Sequence, residues 1–394
     1  MKTVKLKDLV DFSNGYAFKS TDYVEYSNTV NCRMSNIRPD GSFDVEYNIK
    51  YLPDEFAEKY KGFILNDGDI IIAMTDMAGD PKILGVPTLV NTKGYSVLMN
   101  QRVGKLTLKS KDIHPTYLKY YLMSNYARNY FKSFAGGGVQ LNIGQKEILN
   151  IDIKLCDIKE QVEICNVLDK INVLIQQNSK QIEKLDQLIK SRFIELFGDT
   201  ILNPFGWEKD SLGTVCDVRD GTHDSPTYYE IGYPLVTSKN VTGGKIDLTD
   251  CSFICEEDFN KINERSKVDI GDIIMPMIGT VGKPVIVDME PNFAIKNVAL
   301  IKFKADSRVL NIYIRALLQS DYFDDVVLSK VRGGTQKFIS LGDIRKLEIL
   351  VPPMELQNQF AAFVKQTDKS KLAVQQSLEK LEILKKSLMQ QYFG

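Results

Sequence analysis

Residues Asp157–Gly198 read DIKEQVEICNVLDKINVLIQQNSKQIEKLDQLIKSRFIELFG, and this stretch decides the fold. Ile164, Leu168, Ile171, Ile175, Asn178, Ile182, Leu185 and Ile189 recur at alternating steps of four and three, with no Gly or Pro from Ile158 to Phe197. That spacing predicts one amphipathic helix with a coiled-coil seam. At about 1.5 Å per residue the rod measures roughly 57 Å, and its stripe is too narrow for an ordinary core helix. It requires a partner helix.

The end of the same chain supplies one. Sliding the sequence by 196 positions lays Leu185 on Leu381, Leu188 on Leu384, Lys190 on Lys386, Ser191 on Ser387 and Phe197-Gly198 on Phe393-Gly394. The register runs back without a gap through Gln161/Gln357, Ile153/Ile349, Gln140/Gln336 and Gly137-Gly138/Gly333-Gly334 to Tyr117/Tyr313. The chain is therefore a tandem duplication. Upstream the echo continues with Gly15 on Gly221, Gly68-Asp69-Ile70-Ile71 on Gly271-Asp272-Ile273-Ile274, and Asn100 on Asn297 at a shift of 197. The changing shift places length differences in the strand-and-loop parts.

The expected architecture is α+β, with two pseudo-symmetric globular heads joined by a long antiparallel two-helix coiled coil, one head at each end. The boundaries are residues 1–156 for the first head, 157–198 for the central helix, 199–352 for the second head and 353–394 for the C-terminal helix. Within a head, short apolar runs bounded by Gly, Asp and Pro read as strands. Pro115 opens an aromatic helix of about four turns running to Gly136-Gly137-Gly138, either core or a stacking platform. Asp152-Ile153-Lys154 has the look of a nuclease's acidic-x-lysine, but its repeat mate Glu348-Ile349-Leu350 lacks the lysine, so it reads as strand.

Composition narrows the function. The 394 residues are 43% hydrophobic and 26% charged, ordinary for globular domains. No apolar run spans a bilayer and no signal pattern opens the chain, so a cytoplasmic location is expected. Six cysteines without a C-x-x-C and only two histidines give no metal site. Net charges of +3, −1, −5 and +2 for residues 1–156, 157–198, 199–352 and 353–394 are too small to grip a polyanion by bulk field. Gly279-Thr280-Val281-Gly282-Lys283-Pro284 falls short of a phosphate loop, having two residues between its glycines and Pro after Lys. It is a tight turn or a hairpin that brings Thr280 and Lys283 to a phosphate backbone.

The order of parts then carries a resemblance. A head, a Gly-Gly-x-Gln element (Gly137-Gly138-Val139-Gln140; Gly333-Gly334-Thr335-Gln336), an apolar strand and Val351-Pro352-Pro353-Met354-Glu355-Leu356-Gln357 lead into a rod. Asn203-Pro204-Phe205-Gly206-Trp207 follows the first rod, and Asp220-Gly221-Thr222-His223-Asp224-Ser225-Pro226 opens the second head. The whole resembles the DNA specificity subunit of type I restriction-modification systems. The first copy departs from the pattern at Leu155-Cys156-Asp157 and at Asn14-Gly15-Tyr16-Ala17-Phe18.

The resemblance implies that each head is a target-recognition domain reading one half of a split double-stranded DNA site, and that the rods set the spacing. It also implies two adenine methyltransferase subunits on the rods and a separate motor-endonuclease subunit. S-adenosylmethionine and ATP would bind those partners, so this chain would hold no cofactor, no metal and no catalytic residue. The chain indeed has no Asn-Pro-Pro-Tyr or Asp-Pro-Pro-Tyr. A protein-binding scaffold is the rival reading.

Residue chemistry suggests where DNA would be touched. Gly137, Gly138 and Gln140, with Arg332, Gly333, Gly334, Thr335 and Gln336, suit backbone amides approaching phosphate, or else a helix C-cap. Ser35, Asn36 and Arg38, matched by Ser238, Lys239 and Asn240, have base-edge chemistry, or else mark an exposed strand end. Thr222, His223 and Ser225 are further candidates.

Overall fold

A computed structural model describes residues 2–278, 281–330 and 338–394. The chain forms two compact units, Met1–Asn178 with Ser377–Gly394, and Ser179–Gln376. The two long helices, Ile158–Phe197 and Met354–Phe393, each place one stretch in each unit. A head and a segment of both rods thus make one folding body. Among the described residues no helix is long and apolar enough to cross a membrane.

In the first unit, Val10–Asn14, Val103–Leu108, Ile70–Ala73 and Pro87–Leu89 form an antiparallel four-stranded sheet in that order. Ile70-Ile71-Ile72-Ala73 is buried throughout, as a strand covered on both faces must be. A second sheet orders Tyr51–Leu52, Thr29–Cys32, Ser96–Met99 and Ile64–Leu65, its central pair parallel. Lys2–Lys5 pairs with Asp152–Leu155, which leads into the first rod. The aromatic stretch is two helices rather than one. Pro115–Met123 ends at Ser124, whose side chain accepts from the Ala127 N–H and caps Asn125–Phe134. Tyr117, Tyr120, Tyr121 and Phe131 are buried and belong to the core, whereas Tyr126 and Phe134 are exposed.

The second unit repeats this plan. Asp217–Asp220, Val298–Lys302, Ile273–Pro276 and Val285–Ile286 form the first sheet, and Ser252–Ile254, Tyr233–Val236 and Ala294–Ile295 the second, again with one parallel pair. Glu208–Ser211 pairs with Glu348–Val351 before the second rod.

The duplication is preserved at single hydrogen bonds. Gln161 is fully buried; its Oε1 accepts from the His114 N–H at 2.9 Å, and its Nε2 donates to the Asp112 and Cys156 carbonyls. Gln357, equally buried, accepts from the Leu310 N–H at 2.8 Å and donates to the Arg308 and Pro352 carbonyls. Each partner lies 196 positions from its mate. Tyr117 likewise donates to the Lys154 carbonyl and Tyr313 to that of Leu350. A buried amide so placed fastens the root of a rod to its head, because its loss strands three backbone groups away from water.

The rod tips cross over. Phe393 packs on Tyr117 and Tyr121 in the first unit, and Phe197 on Tyr313 and Phe360 in the second. Each head is closed by the tip of the other repeat's helix. The rod segments run antiparallel in both units: Asn178 bonds Ser377 while Lys154 meets Gly394, and Asp186 pairs with Lys371 while Phe193 packs on Phe360. Ile164, Leu168 and Ile171 are the most buried seam residues, and farther along the seam Asn178 Nδ2 donates to the exposed Ser377 hydroxyl at 3.1 Å.

Candidate nucleic-acid interface

The two heads share one backbone device and dress it differently. Gly15 N–H donates to the Val103 carbonyl, Tyr16 N–H to Met99, and Gln101 N–H back to Tyr16. In the second head Gly221 N–H donates to Val298, Thr222 N–H to Ile295, and Asn297 N–H back to Thr222. A Cβ on Gly15 would lie 2.2 Å from the Asn100 carbonyl oxygen, and one on Gly221 2.3 Å from that of Ile295. Only glycine fits this approach of two backbones. The bridges Tyr16↔Asn100 and Thr222↔Lys296 show that Asn100 corresponds to Lys296, not Asn297. The sequence alignment was one residue out because the two asparagines coincide in type but not in register.

On this turn the first head mounts rings. Tyr16 stands 4.5 Å from Tyr60, 5.0 Å from Phe18 and 5.5 Å from Phe63 between centroids. The second head mounts hydrogen-bonding groups. His223 Nδ1 lies 2.8 Å from Asn297 Oδ1 and its Nε2 2.8 Å from Asp220 Oδ2. Asp220 is buried and also accepts from Arg265. Ser225 Oγ accepts from Lys296 at 2.9 Å, and Thr222 Oγ1 from the Asp224 N–H at 3.1 Å. The acceptors around His223 raise its pKa above the ordinary value, Asn297 first and Asp220 next, with burial and Arg265 opposing. Sequence reasoning found Thr222, His223 and Ser225 but missed Asp220, Arg265, Lys296 and Asn297 as their companions. The signal available was the repeat register itself, had Lys296 been set against Asn100.

Two candidates are overturned. Asn36 is buried; its Nδ2 donates to the carbonyls of Asp44 and Tyr47 and its Oδ1 accepts from the Arg33 N–H. Asn240 is its structural mate, accepting from the Thr237 N–H and donating to the Asp247 and Asp250 carbonyls. Both amides are spent on holding a loop and are closed to bases, because a carboxamide has no further donors once its two hydrogens are committed. Around them Ser35 has a buried hydroxyl. Arg38 stacks 3.7 Å over the Tyr47 ring, Ser238 is half-buried, and Lys239 is exposed, 3.6 Å from Asp250.

The Gly-Gly-x-Gln element of the first head is not a helix cap: residues 137–139 form an exposed turn that leads into a strand. The preceding helix ends at Phe134, and Gln140–Asn142 is a strand paired with Thr75–Met77. Gly137 turns with φ of +135°, and a Cβ there would meet the Gln140 carbonyl at 1.9 Å. Gly138 is exposed and Gln140 half-buried. Asp76 accepts from the Met77 and Leu84 N–H groups, and Arg128 donates to the Lys82 carbonyl, which stiffens the facing hairpin. In the second head Lys283 is exposed with φ of +57°. Thr280, Arg332, Gly333, Gly334, Thr335 and Gln336 lie outside the described residues.

Among the described residues no group of three or more His, Cys, Asp or Glu side chains is placed to hold a metal ion. The thiols of Cys32, Cys165 and Cys216 are pushed up to about 12 by burial, which denies them thiolate chemistry at neutral pH.

Comparison with known proteins settles the class. The family model described as "Type I restriction modification DNA specificity domain" matches residues 1–187 and again 204–383. The chain belongs to that family. Its family is that of the specificity subunits. It is 30% identical to the type I restriction enzyme MjaVIII specificity subunit of Methanocaldococcus jannaschii over 190 residues, 48% of this chain and 43% of that one. The chain thus matches less than half the length of that relative. The EcoKI specificity subunit of Escherichia coli K12 is 22% identical over 388 residues, 92% of this chain and 81% of its own length. In fold, the S subunit of a type I system from M. genitalium superposes with a TM-score of 0.60 at 14% identity, covering 98% and 94% of the two chains. A chain of a type I R-M system solved for its assembly and conformational transition gives 0.55 at 17% identity, covering 100% and 97%.

Proposed function

We propose that this specificity subunit reads a two-part asymmetric DNA target in the cytoplasm, one half per head, and carries no catalysis or cofactor of its own. Two adenine methyltransferase subunits dock on it, a motor-endonuclease subunit joins that complex, and the two long helices set the gap between half-sites. The observation that supports this reading best is the contrast at the Gly15 and Gly221 turns. One backbone frame, kept to individual hydrogen bonds, carries rings in one head and polar and charged groups in the other. A frame conserved within one chain beside divergent side chains suits two readers of different sequences.

Docking of partner subunits on the rods is supported by their outer faces. Val173, Leu174, Leu188, Ile194, Leu372 and Ile383 are each between 45% and 69% exposed, more apolar surface than a solvated helix pair needs. The near-neutral charge of the heads supports a further point, that most phosphate contacts come from the partners.

The test is to express the chain with cognate methyltransferase subunits and map methylated adenines. A bipartite target with an unspecified gap is expected; a single continuous target, or methylation independent of this chain, overturns the reading.

A further inference from the structure

The clasp around His223 has chemistry that its companions do not explain as ordinary loop packing. Its two ring nitrogens each face an acceptor at 2.8 Å, Asn297 Oδ1 and Asp220 Oδ2. A neutral imidazole has one N–H and satisfies only one of them; the imidazolium satisfies both. Asn297 also closes the backbone turn through its N–H on the Thr222 carbonyl, and Asp220 is the last residue of its strand, so the ring ties the Thr222–Ser225 loop to two separate elements.

The charged groups nearby come from four segments: Asp220 from the strand Asp217–Asp220, Arg265 from the helix Glu256–Ser266, Lys296 after the strand Ala294–Ile295, and Asp224 from the loop itself. Arg265 is paired with Asp220, and Lys296 donates to the Ser225 hydroxyl, so both cations near the ring have partners of their own. In the first head the matching positions hold Ala17 and Gln101, and the turn is packed by the rings of Tyr16, Phe18 and Tyr60 with no imidazole among them.

We propose that His223 is a positioning residue that, as imidazolium, latches the Thr222–Ser225 loop in its DNA-reading shape, so that recognition by the second head alone is lost as pH rises. This rests on the reading of the heads as DNA readers. The direction follows from linkage: a histidine whose folded pKa is raised contributes its stabilisation fully below its unfolded value near 6.5 and loses it as pH climbs through the folded one. The loop that carries Ser225, the partner of Lys296, then loses one of its ties to the sheet.

Two measurements on the full chain test this. The chain has two histidines, His114 and His223, so ring-selective NMR needs only two signals to be assigned. The His223 midpoint is expected above that of an unperturbed histidine, to fall in Asn297→Ala and to rise in Asn297→Asp, whose carboxylate can only accept. A His223 midpoint at the ordinary value, or a fall in Asn297→Asp, overturns the clasp.

With methyltransferase subunits bound and a duplex carrying the target mapped by methylation, specific affinity should drop about tenfold more between pH 6 and 9 for the native chain than for His223→Gln. The excess should appear as lost discrimination in the second head's half-site only. Equal pH profiles for the two proteins overturn the latch while leaving DNA reading intact. Absence of sequence-specific binding at pH 6 overturns the DNA reading on which it stands.

Discussion

The roots of the rods and the turns at the edge of the sheets make opposite use of the same duplication. At the roots, Gln161 and Gln357 make the same three hydrogen bonds to partners 196 positions apart. At the turns, Gly15 and Gly221 keep the backbone pattern, but an aromatic cluster faces one way of life and a His-Asp-Asn clasp another. Where a residue's partners are backbone atoms of its own head, both copies are held to one solution. Where the side chain's task lies outside the chain, the copies are free to part.

The largest effect should come from the shared turn. Gly15→Ala and Gly221→Ala each push a methyl into a carbonyl 2.2–2.3 Å away, and a clash with backbone has no flexible side chain to yield. We expect about 3 kcal/mol of destabilisation in both, at the top of the usual range for overpacking. Urea unfolding checks it, and a neutral result in one head would break the equivalence.

Next come the glutamines. Gln161→Ala and Gln357→Ala should each cost about 2–3 kcal/mol, with similar values, since each leaves one N–H and two carbonyls buried without partners. Asn36→Ala and Asn240→Ala should cost about 1–2 kcal/mol while leaving any DNA specificity unchanged where the protein remains folded, because their amides point inward. A changed target sequence in either would reopen their exclusion as base readers.

The rod sharpens the comparison further. Near the end of the first rod Phe193 and Phe197 are buried in the second core, so residues inserted there would throw them out of register. Four residues added to both helices, after Lys180 and after Gln375, fall instead where the seam is only half-buried. That adds about 6 Å and just over one helical turn, equivalent to nearly two base pairs of duplex. We expect the gap between half-sites to grow by one or two base pairs with both half-sites unchanged, as read by methylation mapping.

Much of the frame was legible in the sequence because its cause is local and periodic. The seam from Ile164 to Ile189 and the pairing of Phe197 with Phe393 followed from spacing and repeat alone. The break at Ser124 was not legible: the aromatic pattern runs straight through it, and only the capped Ala127 N–H shows that a new helix begins. The sites were harder. Asn36 and Asn240 have the composition of base readers, and nothing in their neighbours' identity says that carbonyls from residues 8–11 positions away consume the Asn36 amide. His223 stood out, but its partners Asp220 and Asn297 come together only when the strands pair, since 74 residues separate His223 from Asn297.

The central claim is that a common frame carries two independent readers, and exchange of one head tests it most directly. Residues 207–350 would be replaced by the corresponding segment of another family member, the variant expressed with methyltransferase subunits, and methylated adenines mapped across a genome. The account predicts that one half of the bipartite target changes to that of the donor while the other half is retained. A target altered in both halves, or in neither with methylation intact, would contradict it.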